Sequence, residues 1–281
     1  MVLLKGGPVA KSITENVRVE IENRESAPKL ALLRVGDAPS DISYENSALK
    51  RMEKCKIAAE RRTLPADVSM EEFIRELDSL NRDPSVHGIL LFRPLPKGLD
   101  ETVIAGMLSP KKDVDCMSPV NMEKIFEGNG TIFPCTPEAV LEILHYYGIE
   151  IRGKRAVIVG RSMVVGRPLS MMLLKENATV TICHSGSERL PEICREADIL
   201  IVAVGRSEMI TADYVKEGAA VIDVGINVDN AGNLTGDCDF NSVSEKAGFL
   251  TPVPGGVGAV TTSVLAKQVL NAMKETEKAG I

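Results

Sequence analysis

Apolar residues fall into short continuous runs, separated by longer stretches of mixed polarity. Leu30 to Val35, His87 to Phe92, 156–159, Thr179 to Cys183, Ile199 to Val204 and Ala220 to Val224 are runs of this kind, and each predicts a buried strand. Ile57 to Arg61 predicts a further strand. Helices are expected between them, over residues 8–25, 41–54, 139–147 and 168–177, and near 188–195 and 212–216. Ser69-Met-Glu-Glu72 has the spacing of a capping box, and Phe73, Ile74, Leu77 and Leu80 follow as a helical stripe. Thr261 is placed to cap a last helix whose stripe is Val264, Leu265, Val269 and Met273. Residues 110–137 read as a loop-rich section, with Thr136-Pro137 as a helix start. Strands alternating with helices predict an α/β fold with mostly parallel sheets. The helix at 139–147 predicts a bridge between two domains, 1–138 (completed by a C-terminal helix, 261–281) and 139–260. The second has the repeat of a Rossmann-like, doubly wound parallel sheet.

Composition removes several alternatives. The 281 residues carry a net charge of −6, which argues against nucleic acid as a main partner. No apolar run approaches about 18 residues, and the first residues do not form a secretory signal, so no membrane association and a cytoplasmic location are expected. Cys55, Cys116, Cys135, Cys183, Cys194 and Cys238 are scattered, as thiols of a reducing compartment would be. His87, His145 and His184 have no ligand-pair spacing, so no metal site is expected.

The segment from Val157 to Pro168 holds the first candidate chemistry. A strand ends at Gly160, and Gly166 and Pro168 bracket a helix start, whose N–H groups attract phosphate. The spacing Gly160-x-Ser162-x-x-x-Gly166 differs from the common dinucleotide fingerprint G-x-G-x-x-G. By itself it fits any strand-to-helix turn.

Five segments together carry a resemblance. They are Val35-Gly36-Asp37 followed by Tyr44; Lys112-Asp-Val-Asp115; Pro134-Cys-Thr-Pro137; Gly160-Arg-Ser162 with Val165-Gly166; and Thr251-Pro-Val-Pro-Gly-Gly-Val-Gly258. In order and spacing the chain resembles the bifunctional methylenetetrahydrofolate dehydrogenase/methenyltetrahydrofolate cyclohydrolase family. The resemblance implies two α/β domains around a cleft, folate mainly on the first and a nicotinamide cofactor on the second, and pairing as a homodimer. It implies Tyr44 and Asp115 as catalytic residues. Substrate would be held by Tyr44, Phe92, Pro94, Asp115, Pro254, Gly255 and Gly256. Cofactor would be held by Gly160, Arg161, Ser162, Val165, Gly166, His184, Ser185, Gly205, Gly225 and Ile226.

The sequence departs from the family where water is handled. The family lysine four residues after the tyrosine is Ala48 here. The family glutamine before the Pro-Leu-Pro turn is Phe92, and the serine three residues before the tyrosine is Asp41. Lys50 points about 200° around the helix from Ala48, and Arg51 holds its proton too firmly to act as a base. Asp41, one turn before Tyr44, is the remaining candidate base. Cys116 replaces the glycine that follows the second aspartate, so the loop holding Asp115 is expected to shift. Dehydrogenase activity is expected to survive and cyclohydrolase activity to be weak or absent.

Cofactor choice has a separate signal. The strand end Cys183-His-Ser-Gly-Ser187 carries no acid for a ribose 2′-hydroxyl. Arg161 and Ser185 match the family's 2′-phosphate positions, and a guanidinium suits phosphate, so NADP is expected over NAD. The basic residue that often follows that serine is Gly186 here. Two other readings stay open: a non-catalytic folate or dinucleotide binder with the same fold, and a two-domain dehydrogenase of another small acid.

Overall fold

The computed structural model describes residues 1–229 and 231–278. In chain order its elements are β1 (Val2–Leu3), α1 (Gly6–Glu22), β2 (Lys29–Val35), α2 (Pro39–Lys54), β3 (Ala58–Leu64), α3 (Met70–Arg82), β4 (Gly88–Leu91), α4 (Glu101–Met107), α5 (Pro119–Glu127) and α6 (Cys135–Tyr146). They continue with β5 (Arg155–Val159), α7 (Gly166–Lys175), β6 (Thr179–Cys183), α8 (Leu190–Cys194), β7 (Ile199–Val202), β8 (Ala220–Asp223), β9 (Asn227–Val228), β10 (Leu234–Thr235), α9 (Phe240–Ser244), β11 (Phe249–Leu250) and α10 (Thr261–Lys278).

Two compact units result. One contains Lys11–Cys135 with Thr262–Ile281, and the other Met1–Ala10 with Thr136–Thr261. The first ten residues therefore fold with the second half of the chain, because β1 pairs in parallel with β11. The last expected helix begins at Thr261 as read, and its residues 279–281 lie outside the described residues. The Thr261 hydroxyl donates back to the Gly258 carbonyl, 3.2 Å away.

In the first unit, β2 lies between β3 and β4 in a parallel sheet. Leu30 to Leu33 on β2 are buried, as are all residues of β4, which explains their unbroken apolar runs. The α3 helix covers the sheet through Phe73, Leu77 and Leu80. Its cap forms as the spacing predicts: the Glu72 N–H donates to Ser69 Oγ at 3.2 Å, and the Ser69 N–H donates to Glu72 Oε2 at 3.1 Å. Residues 110–137 are not all loop. The α5 helix starts at capping Ser118 with Pro119 in its first turn and ends at left-handed Gly128.

In the second unit a six-stranded sheet runs β1-β11-β8-β7-β5-β6, with every pairing parallel. After the edge strand β1, the chain returns to this sheet in its interior at β5, adds β6 on one side, then crosses to add β7 and β8 on the other. The strand order reverses beside β5, and ligands bind such sheets at the strand carboxyl ends next to that reversal. The segment near 212–216 forms only a single 3-10 turn, Ala212–Tyr214. All six cysteines are buried free thiols, and burial pushes Cys55 up to about 11 and Cys194 to about 12. Groups so reluctant to ionise are poor nucleophiles.

Candidate functional site

The β5 end makes the tightest turn of the second unit. Gly160 sits at φ +138°, and a Cβ there would overlap the Ala203 carbonyl of the β7 end. A Cβ on Gly166 would in turn overlap the Gly160 carbonyl. Both glycines are required by backbone approach. Ser162 closes the turn by accepting the Val165 N–H at 3.1 Å, and α7 begins with no side-chain cap at Val165.

In front of this turn lies a cleft of about 330 Å³. Gly160, Arg161 and Ser162 line it from β5, His184 and Ser185 from β6, and Val204 and Arg206 from beyond β7. Five of the cofactor residues expected from sequence thus converge. Val165 and Gly166 shape the turn behind them, while Gly205, Gly225 and Ile226 are not part of this lining.

Two aspartates that the sequence reading passed over organise the neighbouring loops. Asp237 is fully buried and accepts the N–H groups of Val204, Gly205 and Arg206 at 2.6, 3.0 and 2.9 Å, and the Asn227 side-chain amide at 2.9 Å. Asp223 accepts the N–H groups of Gly225, Asp237 and Cys238 at 2.9, 3.0 and 2.9 Å, and burial pushes its carboxyl above the usual range. A Cβ on Gly225 would overlap the Asp237 carboxylate, which gives that glycine a structural reason. The Pro254–Gly256 segment belongs to this unit as well. Gly255 is at φ +99°, and its carbonyl accepts the Gly6 N–H at 2.8 Å.

The other candidate residues lie in the first unit. Pro39 starts α2, and Asp41, Tyr44 and Ala48 follow at one-turn intervals. The Tyr44 ring stands edge-on to Phe92, with centroids 6.1 Å apart and planes at 78°. Phe92 is buried at the end of β4, and its N–H donates to Leu33 at 3.1 Å. Ala48 is also buried. Lys50 is exposed, while Arg51 is tied to Thr14 at 2.8 Å and to Thr262 at 3.4 Å. Neither meets the expectation of a lysine at position 48. Asp41 is half-buried, and its carboxylate accepts the Ser40 hydroxyl at 3.3 Å.

Asp115 connects to the same group through Arg93, a residue the sequence reading left unassigned. The Asp115 Oδ1 accepts the Cys135 N–H at 2.8 Å, and Oδ2 lies 3.5 Å from the Arg93 guanidinium. Arg93 also pairs with Glu101 at 3.4 Å. Burial raises the Asp115 carboxyl above the usual range, against the lowering effect of the Cys135 N–H and Arg93. Asp113 is structural: it accepts from Met117, Ser118 and Asn121 at 2.9, 2.8 and 3.0 Å. Cys116 occupies φ +53°, so it takes up a glycine-like conformation itself, at a cost of about 1 kcal/mol. Pro94 follows Arg93 through a cis peptide and is exposed.

Two family models match the chain. Residues 4–115 match the tetrahydrofolate dehydrogenase/cyclohydrolase catalytic domain, and residues 134–277 its NAD(P)-binding domain. The chain belongs to the tetrahydrofolate dehydrogenase/cyclohydrolase family. A bifunctional protein FolD of Alkaliphilus oremlandii is 53% identical over 276 residues, covering 97% of each chain. The bifunctional FolD of Campylobacter jejuni has a solved structure with a TM-score of 0.94 at 38% identity, covering 98% of this chain and 99% of that one. The Trypanosoma brucei enzyme, solved with NADP and an inhibitor, has a TM-score of 0.93 at 35% identity over 98% of each chain. A chorismate mutase/shikimate dehydrogenase fusion protein from Clostridium acetobutylicum, 13% identical with a TM-score of 0.52, shares the fold alone, covering 88% of this chain and 92% of that one.

Proposed function

We propose that this member of the family is an NADP-linked 5,10-methylenetetrahydrofolate dehydrogenase that has lost most or all of its cyclohydrolase activity. The supporting observation is a contrast between the units. The Gly160–Gly166 turn and its cleft keep the close backbone approach that a dinucleotide phosphate needs, whereas on α2 the position one turn beyond Tyr44 is Ala48, whose methyl group is buried.

The residues present fit the cofactor. Gly160, Ser162 and Gly166 would take the pyrophosphate against the α7 start, and Arg161 and Ser185 the adenosine end. When bound, the nicotinamide supplies a hydride acceptor for the one-carbon bridge of the folate. The folate nitrogens donate electron density as that hydride leaves, so no protein base is needed for this half-reaction. The chain's task is alignment. Tyr44 and Phe92 form an aromatic wall for the pterin and its one-carbon bridge. Asp115 accepts hydrogen bonds from the pterin amino and ring N–H groups, and Arg93 steadies its second oxygen.

Hydrolysis makes a different demand, because a water must be oriented and deprotonated at the methenyl carbon. Ala48 and Phe92 have no side-chain polar atom for this, and Arg51 is held by two threonines. Glu45 on that helix face is buried and paired with Arg34 and Arg61, which leaves Asp41 as the candidate carboxylate.

In this reading the Lys11–Cys135 unit is the folate side, the Thr136–Thr261 unit is the cofactor side, and the enzyme works as a cytoplasmic homodimer. Among the described residues no helix is long and apolar enough to cross a membrane. The decisive experiment is a steady-state assay of both half-reactions on one preparation. NADP reduction with methenyl hydrolysis at the spontaneous rate supports the proposal. Hydrolysis well above that rate overturns the second clause, and absence of hydride transfer favours a non-catalytic binder.

A further inference from the structure

We infer that Arg206 supplies the second cation of the 2′-phosphate site, in place of the side chain that Gly186 lacks. This rests on the reading of the cleft as an NADP site. On the β6 side, the turn after Cys183 presents only the Ser185 hydroxyl and the His184 ring to the cleft. That turn is closed on itself: the His184 N–H donates to Ser187 Oγ at 3.0 Å, and the Gly186 N–H donates to His184 Nδ1 at 3.1 Å. A neutral His184 that accepts at Nδ1 carries its proton on Nε2, so it offers one donor and no charge. Arg161 is then the one cation from the β5 and β6 sides of the lining. A phosphate monoester carries about −1.5 to −2 charges at pH 7, more than one guanidinium neutralises.

The second guanidinium comes from beyond β7. Arg206 lines the same cleft as Arg161, His184 and Ser185. Its backbone is fixed by the fully buried Asp237, which also holds Val204 and Gly205. Among the described residues, Arg161 and Arg206 have no carboxylate within ion-pair distance; Arg51, Arg152, Arg167, Arg189 and Arg195 share that property, and only Arg161 and Arg206 of this set line the cleft. Two guanidinium groups without counter-charges on one cleft suit a doubly charged anion. A 2′-hydroxyl offers neither of them a negative partner. Arg206 is therefore a specificity-determining residue, and Gly186 is tolerated because the charge arrives from another strand.

The test is calorimetric titration of the full-length protein with 2′,5′-ADP, 5′-AMP, NADP and NAD, which needs no folate and no turnover. Arg206→Gln is expected to weaken 2′,5′-ADP and NADP at least tenfold while 5′-AMP and NAD stay within twofold. Adding Gly186→Lys to Arg206→Gln is expected to recover a large part of the loss for the 2′-phosphorylated pair alone. Equal weakening of all four ligands by Arg206→Gln overturns the inference in favour of a pyrophosphate or structural role, and no weakening at all overturns it too. If the unsubstituted protein binds none of the four, the NADP reading itself fails. If it binds NADP but the substitution does not discriminate, only the role of Arg206 fails.

Discussion

Tyr44 and Phe92 meet edge to face, 6.1 Å between ring centroids, where α2 faces the end of β4. An aromatic pair of this geometry contributes about 0.5–1.5 kcal/mol beyond the area it buries. Phe92 brings no polar side-chain atom to this edge, and Ala48, one turn beyond Tyr44 on α2, is fully buried. In the proposed function both positions act on the hydrolytic step, so restoring that step needs both changed.

Ala48→Lys combined with Phe92→Gln is accordingly expected to raise methenyl hydrolysis at least tenfold over the unsubstituted enzyme, below the roughly hundredfold minimum that a well-placed general acid–base group contributes, because the surroundings are not rebuilt. Ala48→Lys alone should gain less, since Phe92 still excludes the water. Following loss of the methenyl absorbance with each variant checks this. A double variant no faster than the spontaneous reaction would falsify the assignment of these two positions.

In its proposed role as pterin acceptor, Asp115 sets a pH limit on folate binding. Burial raises its carboxyl above the ordinary value, so on acidification it protonates before an exposed aspartate would, and it then cannot accept two pterin hydrogen bonds. The folate KM should rise as pH falls through that raised value. Asp115→Asn should show a high, nearly pH-independent KM. Stability has the opposite sign. A carboxyl whose folded pKa lies above its unfolded one destabilises the fold as pH rises from the unfolded value through the folded one, and the cost persists above it. Asp115→Asn should therefore match or exceed the parent in Tm at neutral pH, with the difference shrinking in acid. Thermal melts at several pH values read this directly.

Asp237→Ala removes the acceptor of three backbone N–H groups and one amide in the interior. A loss of about 3 kcal/mol or more is expected, because buried donors left unpaired bear their full desolvation cost. The loop carrying Arg206 loosens as well, so NADP affinity should fall together with the urea midpoint. Unchanged affinity in a destabilised variant would separate the loop from the cofactor.

Gly166→Ala places a methyl group on the Gly160 carbonyl, with backbone on both sides of the clash. The turn must open, and dinucleotide binding should drop at least tenfold while folate binding is retained. Equilibrium titration with each ligand checks the separation.

The parallel strands were legible because strands buried on both faces must be apolar throughout, as in β4 and β7. The Ser69–Glu72 cap and the Gly160–Gly166 turn were legible because local backbone geometry demands particular residue types. The α5 helix was not, although Ser118, Pro119 and Gly128 mark its ends, because its apolar residues do not make one buried stripe: Ile125 is buried, while Val120 and Phe126 are exposed. β1 is two residues long and exists only through its pairing with β11. Asp223, Asp237 and Arg93 stand in no local pattern that marks them. Their roles arise from N–H groups and carboxylates brought to them by distant parts of the chain, which no local pattern encodes.

The pairing of β1 with β11 also bears on how this molecule can be cut and recombined. The chain passes from one unit to the other three times, at Ala10–Lys11 in α1, at Cys135–Thr136 in α6 and at Thr261–Thr262 in α10. Each passage lies in a helix, and none in an unstructured linker. Exchanging the cofactor unit with that of a relative would need three junctions inside regular structure. A single crossover near residue 136 would leave a foreign strand on the edge of the inherited sheet, so the two units are best regarded as one cassette.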